Sequence, residues 1–107
     1  MAGTILVAGA SGFIGQRLVR LLAAGGERVR CLVRRDVPLP PGVEPARGDL
    51  LEPLTLPTAL DGVDTVYYLV HSMAAGRAGF EQRDRSAAEN FATAASRAGV
   101  RRVIYLG

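Results

Sequence analysis

No lysine occurs anywhere in the 107 residues, although the chain carries 13 basic side chains and a formal net charge of +3. Every one of those cations is an arginine, which excludes a lysine catalyst or Schiff base within this chain. The arginines are scattered over strand ends and helix faces, without a basic run or interleaved aromatics, so a generic basic surface is expected rather than a nucleic-acid interface. There is no tryptophan and a single cysteine, Cys31. It cannot form an internal disulfide, has no ligand-spaced cysteine or histidine beside it for a metal, and reads as a small core residue. No apolar run approaches the length of a membrane span. The first strand begins so near Met1 that no secretory or import leader is expected, and the cytoplasm is the expected location. What remains is a chain 49% hydrophobic, suited to one domain with one core that buries about two-thirds of its unfolded surface.

The pattern that organises the chain is Gly9 Ala10 Ser11 Gly12 Phe13 Ile14 Gly15. Thr4 Ile5 Leu6 Val7 Ala8 before it is short, apolar and bounded by glycines, as a buried parallel strand would be. From Phe13 the period changes to that of a helix, with Ile14, Leu18 and Leu22 as its inner stripe and Leu21 beside them. The glycines therefore sit where a strand hands over to a helix. Gly9 and Gly12 can turn the chain with their amides facing a pyrophosphate, and the helix head adds free N–H groups and the positive end of its dipole. Ser11 can donate to a phosphate oxygen or cap the helix. Gly15, one turn in, lets the helix approach the first strand closely. The same residues can also serve packing alone.

Ala24 Gly25 Gly26 is a stop signal, and Arg28 to Val33 reads as a second strand ending at Arg34 Arg35 Asp36. In a dinucleotide-binding fold the tip of the second strand lies beside the adenosine ribose. Arginine there offers a planar fork of donors to a 2′-phosphate, so Arg34 and Arg35 favour NADP. Asp36 stands where an NAD-binding acid can stand, which leaves NAD open, and solvated arginines in a loop are a further alternative. Pro38 Leu39 Pro40 Pro41 Gly42 cannot be helical, so the usual second crossover helix is missing or minimal. A short edge strand is expected over Val43 to Gly48, closed by Asp49 and Leu50. Leu54 to Leu60 reads as a weak helix interrupted by Pro57.

Val63 to Val70 is rich in β-branched and aromatic residues and reads as the fourth strand. In a sheet ordered 3-2-1-4-5, strands one and four flank the switch point, so Leu69, Val70 and His71 are expected to line the cofactor crevice. His71 is either an acid–base candidate or a simple strand-end residue. Phe80 to Ala98 reads as a long helix with Ala87, Phe91, Ala94 and Ala98 inside, and Arg101 to Gly107 enters a fifth strand.

The G-x-x-G-x-x-G spacing, the Tyr67 to Met73 run, the Ala Ala Glu Asn Phe helix and the closing Gly Val Arg Arg Val Ile Tyr Leu Gly together resemble the short-chain dehydrogenase/reductase superfamily. The likeness is to its extended and atypical, NmrA-like branches. That resemblance implies a Rossmann-type, doubly wound parallel α/β sheet, here truncated after the fifth strand, and a longer parent with a Ser or Thr site, a Tyr-x-x-x-Lys segment and a substrate lobe. It implies that Asp49 and Leu50 contact adenine, through the carboxylate and the following amide. Asp49 as a turn or helix cap stays open. In the resembled enzymes a tyrosine acts as general acid beside a lysine, and hydride passes between NAD(P) and a small carbonyl or alcohol substrate. Tyr105 has no lysine after it. A non-catalytic dinucleotide sensor or assembly factor is therefore the alternative function, and self-association through the exposed edge of the fifth strand is expected.

Overall fold

β1 (Thr4–Ala8) feeds directly into α1 (Phe13–Ala24), and the strand–helix alternation continues through β2 (Val29–Val33), β3 (Glu44–Arg47), α2 (Leu56–Ala59), β4 (Val63–Tyr68), α3 (Phe80–Ala98) and β5 (Arg102–Tyr105). A turn of 3₁₀ helix, Pro53–Thr55, precedes α2. This computed structural model describes residues 3–70 and 80–105, with side chains in α3 from Gln82 onward.

All neighbouring strands are parallel, and their order is β3-β2-β1-β4-β5. The chain therefore winds outward from β1 to β3, crosses back, and continues through β4 and β5 on the other side. This is the Rossmann-type doubly wound sheet expected from the sequence, and β1 lies at its centre because both its neighbours need a buried partner.

Strand alternation divides the core in two. Leu6 and Ala8 of β1 and Val66 and Tyr68 of β4 pack with Leu56, Ala59 and Leu60 at α2 and with Phe91, Ala94 and Ala95 of α3. Val7, Cys31 and Val33 point to the opposite face, where Val19 of α1 and Val43 join them. No helix connects β2 to β3. Instead the proline-bearing segment 34–43 crosses that face and tucks Leu39 and Val43 into the second cluster.

Three expectations about helix faces need correction. In α1 the buried residues are Gly15 and Val19, with Leu18, Leu22 and Ala23 packed against the same cluster, while Ile14 and Leu21 are 53% and 71% exposed. The inner face is rotated by roughly a quarter turn from the Ile14–Leu18–Leu22 stripe, since each helical residue advances by about 100°. In α3 the inner stripe is Ala87, Phe91, Ala94 and Ala95, and Ala98 is exposed. Pro57 does not interrupt a helix: it occupies the first turn of α2, where its missing N–H costs nothing.

Candidate functional site: the carboxyl edge of the sheet

The connection between β1 and α1 is built from backbone rather than side chains. Gly9 has φ +95°, a left-handed conformation that disfavours any other residue, and a Cβ there would press on the Leu69 backbone carbon at 2.9 Å. The Gly12 N–H closes a turn on the Gly9 carbonyl at 3.2 Å. Gly12 itself is the helix N-cap, with an extended φ of −73° and no side-chain cap. Gly15 is buried against this turn, and a Cβ on it would collide with the Gly9 carbonyl and the Ala10 Cα. The third glycine thus seats the helix on the loop beyond β1.

The first helical bond runs from the Gln16 N–H to the Gly12 carbonyl at 2.9 Å. The amides of Phe13, Ile14 and Gly15 therefore precede the helical ladder and open toward the head of α1. Ser11 does not cap the helix. Its carbonyl accepts from Gln16 Nε2 at 2.8 Å, a brace that the sequence reading missed, and the Ser11 side chain is exposed. Ala10 is buried, whereas the Phe13 ring is 76% exposed with the Arg17 guanidinium 5.2 Å from its centroid.

Because every strand is parallel, the residues that follow the strands share one edge. Asp49 comes after β3, Arg34 after β2, Gly9 after β1 and Leu69 after β4, in that spatial order. At about 4.8 Å per strand interval the row spans roughly 14 Å. Leu69 donates its N–H to the Ala8 carbonyl at 2.8 Å, extending the β1–β4 seam to the switch point. Leu69 packs on the α1 side and Val70 on the α3 side. His71 lies outside the described residues.

Arg34 and Arg35 are exposed and, among the described residues, make no ion pair. Asp36 beside them is exposed as well. The Gly48 N–H binds the Val33 carbonyl at 2.9 Å, which brings the ends of β2 and β3 together beneath the arginine pair.

The loop after β3 is tightly ordered. Asp49 Oδ1 accepts from the Leu51 N–H at 2.9 Å, so the carboxylate does cap a turn, and the Asp49 N–H binds Thr55 Oγ1 at 2.9 Å. The Leu50 carbonyl accepts from Asn90 Nδ2 of α3 at 2.8 Å. Neither Thr55 nor Asn90 was singled out from the sequence, because each acts on backbone groups that a linear pattern does not reveal.

Among the described residues two groups have displaced acidity, Cys31 within β2 and Tyr68 at the end of β4. Burial pushes the Cys31 thiol up to about 11. Tyr68 is pushed up to about 12, chiefly by burial and then by Tyr105 and Asp84. Neither is a reactive group at neutral pH. No cluster of metal-ligating side chains exists among the described residues, and no helix among them is long and apolar enough to cross a membrane.

This edge can hold an extended anionic ligand. Gly9 and Gly15 carry no Cβ where the Leu69 and Gly9 backbones approach, and the amides ahead of the first α1 hydrogen bond are of the kind that binds anions at a helix head. The family model described as NAD(P)H-binding matches residues 9–107. The chain belongs to this NAD(P)H-binding family. The domain is 35% identical over 114 residues to the 3 beta-hydroxysteroid dehydrogenase/Delta 5-->4-isomerase of Mycobacterium tuberculosis, covering 96% of this chain and 31% of that protein. It is 36% identical to the ceramide reductase of Caulobacter vibrioides, covering 95% of this chain and 34% of that one. A uronate dehydrogenase from Agrobacterium tumefaciens, a Y136A mutant solved in complex with NAD, superimposes with a TM-score of 0.83 at 21% identity, covering all of this chain and 41% of its own. The NAD(P)H-binding domain spans about a third of the length of the curated relatives it matches. It is a Rossmann-fold NAD(P)-binding domain of the short-chain dehydrogenase/reductase and NmrA-like type, similar to dehydrogenases and reductases.

Proposed function

We propose that the chain takes NADP in preference to NAD along the carboxyl edge and serves as the cofactor half of an oxidoreductase acting on a small carbonyl or alcohol substrate. The observation that carries this reading is the side-chain-free turn at Gly9 with Gly15 seated against it. In this reading the amides and short side chains from Gly9 through Ala10, Ser11, Gly12, Phe13 and Ile14 to Gly15 hold the pyrophosphate. Arg34 and Arg35 hold the 2′-phosphate, Asp49 and Leu50 read adenine, and Leu69, Val70 and His71 border the nicotinamide ribose. The bound dinucleotide supplies a nicotinamide ring that gives or accepts hydride.

The protein's own part is binding and orientation. Two exposed guanidinium groups that have no acidic partner among the described residues are available to a phosphate, and each charge-assisted pair contributes more than a neutral hydrogen bond. The oxidoreductase assignment draws on relatives whose names describe a hydroxysteroid dehydrogenase and a ceramide reductase. A non-catalytic sensor or assembly role for the same site is the second reading, which a longer parent without a Tyr-x-x-x-Lys segment but with retained NADP affinity would favour. NADPH oxidation by the chain in the presence of a carbonyl panel would exclude the sensor reading.

The deciding measurement is calorimetric titration with NADP and NAD. Wild type is expected to favour NADP by about tenfold, and Arg34→Ala or Arg35→Ala to remove most of that preference while leaving NAD affinity unchanged. Equal wild-type affinity for the two would end the NADP assignment. The β5 edge, with Tyr105 57% exposed, is also proposed as a self-association surface. Light scattering that shows a strict monomer at high concentration would end that proposal.

A further inference from the structure

We propose that Asn90 is a positioning residue for adenine recognition, setting the Asp49 carboxylate through the single peptide unit between Leu50 and Leu51. The proposal rests on the reading above that adenine lies against Asp49 and Leu50. Asn90 Nδ2 donates to the Leu50 carbonyl at 2.8 Å. The N–H of that same peptide belongs to Leu51 and donates to Asp49 Oδ1 at 2.9 Å. A trans peptide is planar, with its carbonyl and N–H directed oppositely, so fixing one end fixes the other. α3 therefore grips one side of the plane, and the other side grips the carboxylate.

The rest of the loop leaves this peptide as the element still to be fixed. The Asp49 N–H is held by Thr55 Oγ1 at 2.9 Å, its carbonyl accepts from the Glu52 N–H at 2.9 Å, and Thr55 Oγ1 donates to the Glu52 carbonyl at 2.7 Å. Those bonds anchor the Asp49 backbone and close the 49–52 turn around the Leu50–Leu51 peptide, and Asn90 adds the tie from that peptide to α3. Among the described residues Asp49 Oδ2 has no partner, so with Oδ1 committed to Leu51 it is the oxygen presented to an incoming donor. An exocyclic amine on a purine supplies that donor, and a carbonyl at the same position does not. Without Asn90 the peptide plane loses its tie to α3, the bond from Leu51 to Oδ1 is loosened, and the carboxylate is aimed less rigidly.

The test is a base-discrimination ratio, which a merely structural tie would not move. Binding of NADP and of its deamino analogue, which carries hypoxanthine in place of adenine, is measured calorimetrically for the 107-residue chain, Asn90→Asp and Asn90→Ala. Wild type is expected to prefer the adenine form by about tenfold, and both variants to bind the two forms within about twofold of each other. Variants that weaken both ligands equally and keep the wild-type ratio would overturn the role of Asn90. Wild type that binds NADP and its deamino analogue alike would overturn it too, while leaving the cofactor reading intact. Wild type that binds neither would overturn both. Should the variants not fold, exchange of the Leu51 amide in wild type decides the matter. Slowing by NADP well beyond that by the deamino analogue is the expected result, and equal slowing overturns the proposal.

Discussion

The two faces of the sheet are covered by different means. On the α3 face the cover is side-chain volume: Phe91 lies 1% exposed with its ring centroid 5.1 Å from that of Tyr68, and Leu56 and Leu60 fill the space toward α2. On the α1 face one helix shares the work with a proline-bearing strap, and the buried residues are no larger than valine. Gly15 lets α1 approach so closely that backbone fills the space a side chain would take, and the same approach keeps the Gly9 turn open. One face is filled by large side chains, and the other by smaller ones and a close backbone approach.

Truncation of the aromatic centre is the strongest challenge to that contrast. Phe91→Ala is expected to cost about 3–5 kcal/mol in urea unfolding, because the cavity would sit between α3 and the strands it covers. A cost near that of a surface substitution would mean that the α3 face is not the stabilising one. Next comes Gly15→Ala, whose methyl must displace the Gly9 carbonyl. It is expected to cost about 1–3 kcal/mol and to weaken dinucleotide binding by more than tenfold, coupling stability and affinity at one atom.

Alkaline unfolding compares the faces with one buried acid in each. Cys31 on the α1 face rises to about 11 and Tyr68 on the α3 face to about 12, mainly through burial. For both, the folded state holds its proton after the unfolded chain has lost it, so stability declines with rising pH. The Cys31 contribution is expected to fade from about pH 9 to 11, and that of Tyr68 from about pH 10 to 12. Cys31→Ala should flatten only the earlier part of a stability–pH curve, and Tyr68→Phe only the later part. The smallest effect belongs to the strap. Leu39 is partly buried, so Leu39→Ala is expected to cost about 1 kcal/mol or less in thermal unfolding.

The strands, the long α3 helix and the missing crossover helix were legible in the sequence because β-branched runs, helical spacing and three prolines near Leu39 are local signals, whereas the strand order came from the fold that the resemblance implies. The rotated face of α1 was not. A period count gives weight to Ile14 and Leu21 and none to Gly15, yet the residue without a side chain is the one pressed against the Gly9–Ala10 turn. The glycine turn and the Asp49 loop were visible as types of residue, but their bracing by Gln16, Thr55 and Asn90 was hidden. Those side chains act on backbone carbonyls or amides, in the case of Asn90 on a residue forty positions earlier in the chain.

Arg30 gives the opposite end of the sheet a different character. From the start of β2 its guanidinium reaches Glu44 of β3 at 2.6 Å and the carbonyls of Ala59 and Asp61 at 2.8 and 2.7 Å, stitching two strands to the tail of α2. Across the sheet, Arg101 donates its N–H to the Asp64 carbonyl at 2.9 Å, tying the start of β5 to β4. The amino-terminal rim is thus riveted, while the carboxyl rim carries the longer connections. Loop swaps and insertions should be tolerated at the second rim and punished at the first, which makes this domain a chassis whose specificity can be rebuilt without touching its frame.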